Sequence, residues 1–68
     1  MARDDLIGFS RDVAQAKLDE AIAENGKPGK IVEALEKMAK GEEKVAKGEF
    51  DRAVEEFKKA WEKAWDAL

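Results

Sequence analysis

Apolar side chains recur at helical spacing along most of this 68-residue chain, and no segment sustains the alternation that a strand requires. The pattern is widest between residues 50 and 68, where aromatic residues and alanines are three, four or seven positions apart. The residues are Phe50, Ala53, Val54, Phe57, Ala60, Trp61, Ala64, Trp65 and Leu68. A helix with so wide an apolar face is stable in water when that face packs against other helices, so the pattern indicates an all-α protein.

Two narrower apolar stripes precede this segment. The residues are Ala14, Leu18, Ala21 and Ile22 in the first stripe, and Ile31, Val32, Leu35, Met38, Ala39, Val45 and Ala46 in the second. Favourable pairs of glutamate and lysine four residues apart line the polar side of the second stripe, as on an exposed helix surface.

Capping and turn residues separate the three segments. Asn25 and Gly26 form a stop signal, and Gly48 supplies the left-handed conformation that ends many helices. Pro28 suits the first turn of a helix, and Ser10 is a suitable N-cap. We therefore predict helices at about 10–25, 28–47 and 50–68, with 1–9 as an N-terminal lead-in.

The predicted fold is an up-down-up three-helix bundle that forms one domain over residues 1–68. Charge supports this order of helices. Residues 1–26 hold three basic and six acidic side chains. Residues 27–48 hold six basic and four acidic side chains, and residues 49–68 hold four basic and six acidic side chains. A net positive segment thus stands between two net negative ones, although exposed ion pairs are individually weak.

One pattern of small and aromatic residues in the second half of the chain predicts a topology. Gly41 stands inside the second predicted helix, and Ala53 and Phe57 follow in the third at a spacing of four. The stretch from Gly41 to Trp61 resembles the helix-turn-helix core of a tetratricopeptide repeat. The resemblance implies two antiparallel helices joined by a turn at Gly48.

We also expect close packing at Gly41, because a glycine inside a helix costs about 1 kcal/mol relative to alanine and therefore needs a structural reason. The approach of Ala53 or Phe57 would explain that glycine. The family's large residues in the first helix are replaced by Lys37, Lys40 and Lys44. Only one unit is present, whereas about three stabilise an array. The resemblance therefore implies the packing of a single helical hairpin rather than a peptide-binding array.

The residue types that most enzymes use are scarce. His, Cys, Tyr and Thr are absent, and Ser10 is the only aliphatic hydroxyl. The glycines near Pro28 lack the strand and spacing of a phosphate-binding loop, and the carboxylates lack calcium-loop spacing. We predict no catalytic residues, no cofactor and no metal site. The chain has no long apolar run and no dense basic patch, so we also predict no membrane and no nucleic-acid partner.

Two features of the apolar stripes have a functional and a structural interpretation. Glu42 falls within the stripe of the second helix. Its functional interpretation is a general acid or ligand group; its structural interpretation is either a carboxylate that reaches solvent at the edge of the bundle or one bonded to an indole N–H of Trp61 or Trp65. The two tryptophans would either pack in the core or stack on a partner. We favour the structural interpretation for Glu42 and core packing for Trp61.

A second apolar side of the first helix is the candidate partner contact. It consists of Leu6, Phe9 and Val13, and Trp65 is the tryptophan that we expect to be exposed. Internal packing of the same side, with Phe9 against Ala14, is the interpretation that we favour over a partner contact. The lysine-rich face of the second helix would bind an acidic partner or, as its interleaved glutamates favour, simply be solvated.

The sequence therefore predicts a monomeric helical scaffold without catalytic activity. A surface rich in Ala, Glu and Lys is typical of a designed or idealised mini-protein. Gly41, Glu42 and the apolar run from Leu6 to Phe9 instead favour a natural protein-interaction module. Both origins remain open at this point.

Overall fold

The structure, a computed structural model, describes the backbone of residues 2–68 and the side chains of residues 7–68. Three helices follow one another: α1 (Ala2–Ala23), α2 (Pro28–Ala46) and α3 (Phe50–Ala67). No strand occurs within residues 2–68. The predicted all-α, up-down-up three-helix bundle is thus confirmed, with α1 and α3 running parallel. The bundle is elongated, with Cα extents of 36 × 17 × 13 Å.

The predicted start of the first helix is wrong. α1 begins at Ala2, so the proposed lead-in is helical and Ser10 lies inside the helix rather than capping it. Ile7 explains the extension, because it is 6% exposed and lies seven residues before the buried Ala14. Residues seven apart share one face of a helix, so the core of α1 extends toward the N-terminus beyond the stripe that the sequence indicated.

The predicted stop signal at the end of α1 is confirmed. Asn25 adopts a φ of 57°, and its N–H donates to the Ile22 carbonyl at 3.1 Å. The Gly26 N–H donates to the Ala21 carbonyl at 2.8 Å, which completes a Schellman motif. The Lys27 N–H then donates to the Ala67 carbonyl at 2.9 Å, so this turn is bonded to the end of α3.

The second turn uses the same motif. Gly48 has a φ of 76°, its N–H donates to the Val45 carbonyl at 3.0 Å, and the Glu49 N–H donates to the Lys44 carbonyl at 2.9 Å. The apolar contact that often joins these two positions is replaced by an ion pair, with Lys44 Nζ 3.7 Å from Glu49 Oε2. Pro28 is the first residue of α2, as predicted.

Alanine dominates the buried core. α3 packs closely against both other helices, whereas α1 and α2 contact each other least. Among the side chains of residues 7–68, Phe57 and Leu18 are the large ones that are fully buried. The buried apolar residues are Ile7, Ala14, Leu18, Ala21, Ala34, Met38, Ala53, Phe57, Ala60, Ala64 and Ala67. A core of small side chains brings the helices close together and leaves several large apolar residues at the edges of the bundle.

α2 and α3 approach each other closely at Gly41. A Cβ atom at this position would lie 2.7 Å from both Cδ1 and Cζ of Phe57, and closer still to Cε1. The Phe57 side chain has no exposed surface, so its ring fills the space that a side chain at Gly41 would need. The close packing that we expected at this glycine is therefore present.

Candidate functional site: an apolar groove between α1 and α3

A shallow groove follows the seam between the parallel helices α1 and α3. We call it the α1–α3 groove, and its volume is about 230 Å³. It is lined by Phe9, Ser10 and Val13 from α1 and by Val54, Phe57, Lys58 and Trp61 from α3. This volume is below the roughly 300–1,000 Å³ of sites for small molecules, and it suits the side chains of another protein better than a cofactor.

Two residues of the predicted contact patch lie in this groove. Phe9 is 67% exposed and Val13 is 38% exposed. The internal packing that we favoured is therefore wrong for Phe9, which presents most of its ring to solvent at the edge of the groove. The side chain of Leu6, the third member of the predicted patch, lies outside the described residues.

The two tryptophans differ in their environment. Trp61 is partly buried against the core and forms one wall of the groove, which agrees with the packing role that we favoured. Trp65 is 48% exposed, as predicted, and its ring centroid is 6.0 Å from that of Trp61 at an interplanar angle of 78°. Trp65 does not line the groove itself, but its edge-to-face contact continues the aromatic surface beyond Trp61.

Lys17 helps to hold Trp65 in place. Its Nζ lies 3.9 Å from the centroid of the Trp65 ring, in a cation–π arrangement, and 3.0 Å from Glu20 Oε2. The contact joins α1 to α3 beyond the groove. Trp65 is therefore an exposed but anchored aromatic surface, which lowers the entropy that a partner would lose by ordering it.

Glu42 is not a buried carboxylate. Its side chain is 52% exposed, and its Oε1 lies 3.5 Å from Arg11 Nη1 on α1. Among the described residues Glu42 pairs with Arg11 of α1, which fits the edge alternative and not the bond to a tryptophan indole. Nothing around Glu42 gives it the desolvated environment that a general acid needs. The structural interpretation, an edge residue at the α1–α2 seam, agrees with its exposure.

We expect Glu42→Leu to change the free energy of unfolding by no more than about 0.5 kcal/mol. An exposed ion pair with Arg11 contributes little, and leucine would extend the apolar stripe of α2. Urea denaturation followed by tryptophan fluorescence measures the change. A loss greater than about 1 kcal/mol would show instead that Glu42 belongs to a hydrogen-bond network that the substitution disrupts.

Ion pairs cover part of the lysine-rich surface of α2. Lys30 and then Lys63 hold the pKa of Glu33 below its usual value, and Lys63 comes from α3 with its Nζ 3.4 Å from Glu33 Oε2. The hydrogen bond between Lys47 and Glu43, 2.9 Å long, lowers the pKa of the carboxylate and raises that of the ammonium. These pairs support a solvated, ion-paired face.

A second group of exposed apolar residues was not recognised from the sequence as surface. Ile22 on α1 and Val32 and Leu35 on α2 are each about half exposed. All three belong to stripes that we assigned to the core. They are uncovered because α1 and α2 contact each other so little. Nothing in the spacing of apolar residues predicts which pair of helices in a bundle packs less closely.

Comparisons with known proteins leave the site to be interpreted from its own geometry. No family model matches the chain, and no curated protein or solved structure shows significant similarity to it. In the described part of the chain, no group of acidic side chains is arranged to hold a metal ion. None of the helices, over the residues described, is long and apolar enough to cross a membrane.

Proposed function

We propose that this protein is a monomeric helical scaffold without catalytic activity that binds a protein partner through the α1–α3 groove. The observation that carries the proposal is the position of Phe9, an aromatic side chain 67% exposed at the edge of a preformed apolar groove. Burying apolar surface contributes about 25 cal/mol per Å². Exposed aromatic residues beside a hydrophobic groove are frequent anchors of protein interfaces.

The shape of the groove favours a helix as the partner element. α1 and α3 run parallel, so their seam is a straight channel. A helix of the partner would pack into this channel as helices pack against each other in bundles. Phe9 and Val13 would contact one side of that helix, and Val54 and Trp61 the other. Trp65 would extend the contact at one end.

The absence of catalytic activity is supported by composition. Without His, Cys, Tyr or Thr, a nucleophile with an adjacent base is difficult to assemble, and Ser10 lies within α1 beside the apolar groove. A second candidate role is that of a scaffold with no partner, as in an idealised mini-protein. The alanine-rich core and the ion-paired surface of α2 favour that candidate.

We also propose that α2 and α3 form a hairpin of the tetratricopeptide type. The contact of Gly41 with the ring of Phe57 and the burial of Ala53 and Ala60 support this proposal, since these are the residues on which the resemblance depends. The proposal does not extend to the peptide-binding face that an array of such repeats forms. The α1–α3 groove instead lies on the seam with α1, outside the hairpin.

A selection of phage-displayed helical peptides against the immobilised protein tests the groove as a binding site. We expect the enriched peptides to lose binding to Phe9→Ser, because the substitution removes the exposed anchor. They should retain binding to the matched variant Leu35→Ser, which alters a half-exposed apolar residue on α2. Failure to enrich any peptide, or enrichment of peptides that bind Phe9→Ser equally well, would contradict the proposed function.

A further inference from the structure

Among the described residues, Lys58 is the one charged side chain that lines the α1–α3 groove. It lies four residues after Val54 and three residues before Trp61, so the three share one side of α3. Lys58 is thus near the middle of the apolar wall that α3 contributes, with an apolar lining residue about one turn away in each direction. A partner helix that covers Val54 and Trp61 must also pass over Lys58.

The charge of Lys58 is not neutralised within the described part of the chain. The side chain is exposed, and none of the ion pairs among residues 7–68 includes it. Glu55 and Glu62 are close enough along α3 to pair with it, but they line other surfaces, Glu55 together with Arg52 and Glu62 together with Lys63. The cation at the groove is therefore left for a partner to neutralise.

Docking of a purely apolar helix would remove water from Lys58. Desolvating an ammonium group that has no partner costs free energy, and a carboxylate within ion-pair distance offsets that cost. The aliphatic stem of the lysine can pack on the apolar wall while its ammonium group reaches the edge of the groove. The pair would then be partly solvated, so we expect a moderate effect on affinity and a clear effect on specificity.

We infer that the partner element is an amphipathic helix with one Asp or Glu side chain at the border of its hydrophobic stripe, where it pairs with Lys58. This inference rests on the proposed function of the groove and adds the chemistry of the partner. The hydrophobic stripe would cover Phe9, Val13 and Trp61. Because Lys58 is near the middle of the α3 wall, the carboxylate would be near the middle of the contact, whichever way the partner helix runs.

The same lysine disfavours a second copy of this chain as the occupant. In a symmetric dimer each copy contributes the same residues to the interface. Two copies docked groove to groove would therefore bring two Lys58 side chains into one apolar contact, and neither would supply a carboxylate. A partner helix with a basic residue at the centre of the contact is opposed by the repulsion of like charges.

Three stapled helical peptides provide the test. They share a leucine stripe and carry Glu, Gln or Lys at the central position of both borders, since one border faces α3 whichever way the helix runs. Isothermal titration calorimetry with the whole protein should give the order Glu, then Gln, then Lys, with the Glu peptide binding at least about fivefold more tightly than the Lys peptide. Added salt should reduce that difference. A fourth peptide, with both Glu residues moved to the face opposite the stripe, should bind like the Gln peptide.

Reversing the charge on the protein is the matched test. In Lys58→Glu the order should invert, so that the Lys peptide binds more tightly than the Glu peptide, and in Lys58→Gln the preference should disappear. The control Lys40→Glu makes the same change in net charge at an exposed lysine of α2 that does not line the groove, and it should keep the order of the parent protein. An unchanged order in Lys58→Glu would contradict the inference.

The remaining outcomes separate the inference from the function on which it rests. If the three peptides bind equally in a manner that Phe9→Ser abolishes, the groove is a binding site but the acidic partner is wrong. If none of them binds, both the inference and the proposed function are contradicted. If light scattering of the free protein shows a dimer that Phe9→Ser dissociates, the occupant is a second copy of this chain and the inference is overturned.

Discussion

Phe57→Ala is expected to cost about 3–5 kcal/mol of unfolding free energy, the largest effect of any single substitution considered for this protein. Phe57 has no exposed surface, and within the part of the chain whose side chains the structure describes it is one of two large side chains that are completely buried. The alanines around it cannot close the cavity that its removal would leave. A domain of this size has a total stability of about 3–10 kcal/mol, so the variant should be largely unfolded or close to it.

Phe9→Ala is the matched control, because it makes the same chemical change at a side chain that is 67% exposed. We expect it to cost less than about 1 kcal/mol. Urea denaturation and circular dichroism of both variants measure the difference. A loss of less than about 1 kcal/mol in Phe57→Ala would show that the core is not organised around this ring.

Gly41→Ala is expected to destabilise the protein by about 1–3 kcal/mol, even though alanine is the better helix former by about 1 kcal/mol. The new methyl group would overlap the ring of Phe57, which has no exposed side on which to move. α2 and α3 must separate or the ring must leave its position. Either response weakens the most closely packed seam of the bundle.

Gly8→Ala is the control, and we expect it to change the free energy of unfolding in the opposite direction. Gly8 lies within α1, and a Cβ atom there would have no neighbouring atom within 4 Å. The gain in helix propensity should therefore stabilise this variant by up to about 1 kcal/mol. The double variant Gly41→Ala/Phe57→Leu tests the overlap itself. Because leucine is smaller than phenylalanine, adding Gly41→Ala to Phe57→Leu should lower the free energy of unfolding by less than adding it to the parent protein. A Gly41→Ala variant that is more stable than the parent protein would contradict the close packing of α2 and α3 at this position.

The number and order of the helices were predictable from the sequence because their signals are local. Asn25 and Pro28 act through the backbone conformations that their side chains allow or forbid, and Gly48 acts because it lacks a Cβ atom. These positions end or begin helices as expected. The start of α1 was not predictable in the same way. Ser10 carries a cap signal, but the burial of Ile7 favours a longer helix, and tertiary packing outweighs the propensity of one residue.

The candidate site was predicted only in part. The extra apolar side of α1 made Phe9 and Val13 candidates for a partner contact, but the sequence favoured their internal packing, and only the structure shows that both are exposed. The α3 side of the groove was not predicted. Val54 and Trp61 belong to a broad apolar face, and the position of α1 on that face decides which of its residues lie in the core and which line the groove. Lysines are visible in the sequence, but which of them lines the groove is a property of the folded bundle.

The composition of the core explains why such a groove exists. Alanines fill most of the buried positions, so α3 fits closely against its neighbours with few large side chains between the helices. The aromatic residues that remain lie at the seams, where Phe9 and Trp65 are covered only in part. A bundle with a small-residue core thus presents its large apolar side chains on the outside, where a partner would bury them.

Titration of the ¹⁵N-labelled protein with a helical peptide enriched in the phage-display selection, followed by two-dimensional NMR, tests the central claim most directly. The account predicts that the largest shift changes fall on residues 9–13 and 54–61 and on the indole N–H groups of Trp61 and Trp65. Residues around Val32 and Leu35 should stay unchanged. Changes centred on Val32 and Leu35, with the α1–α3 groove unaffected, would contradict the account.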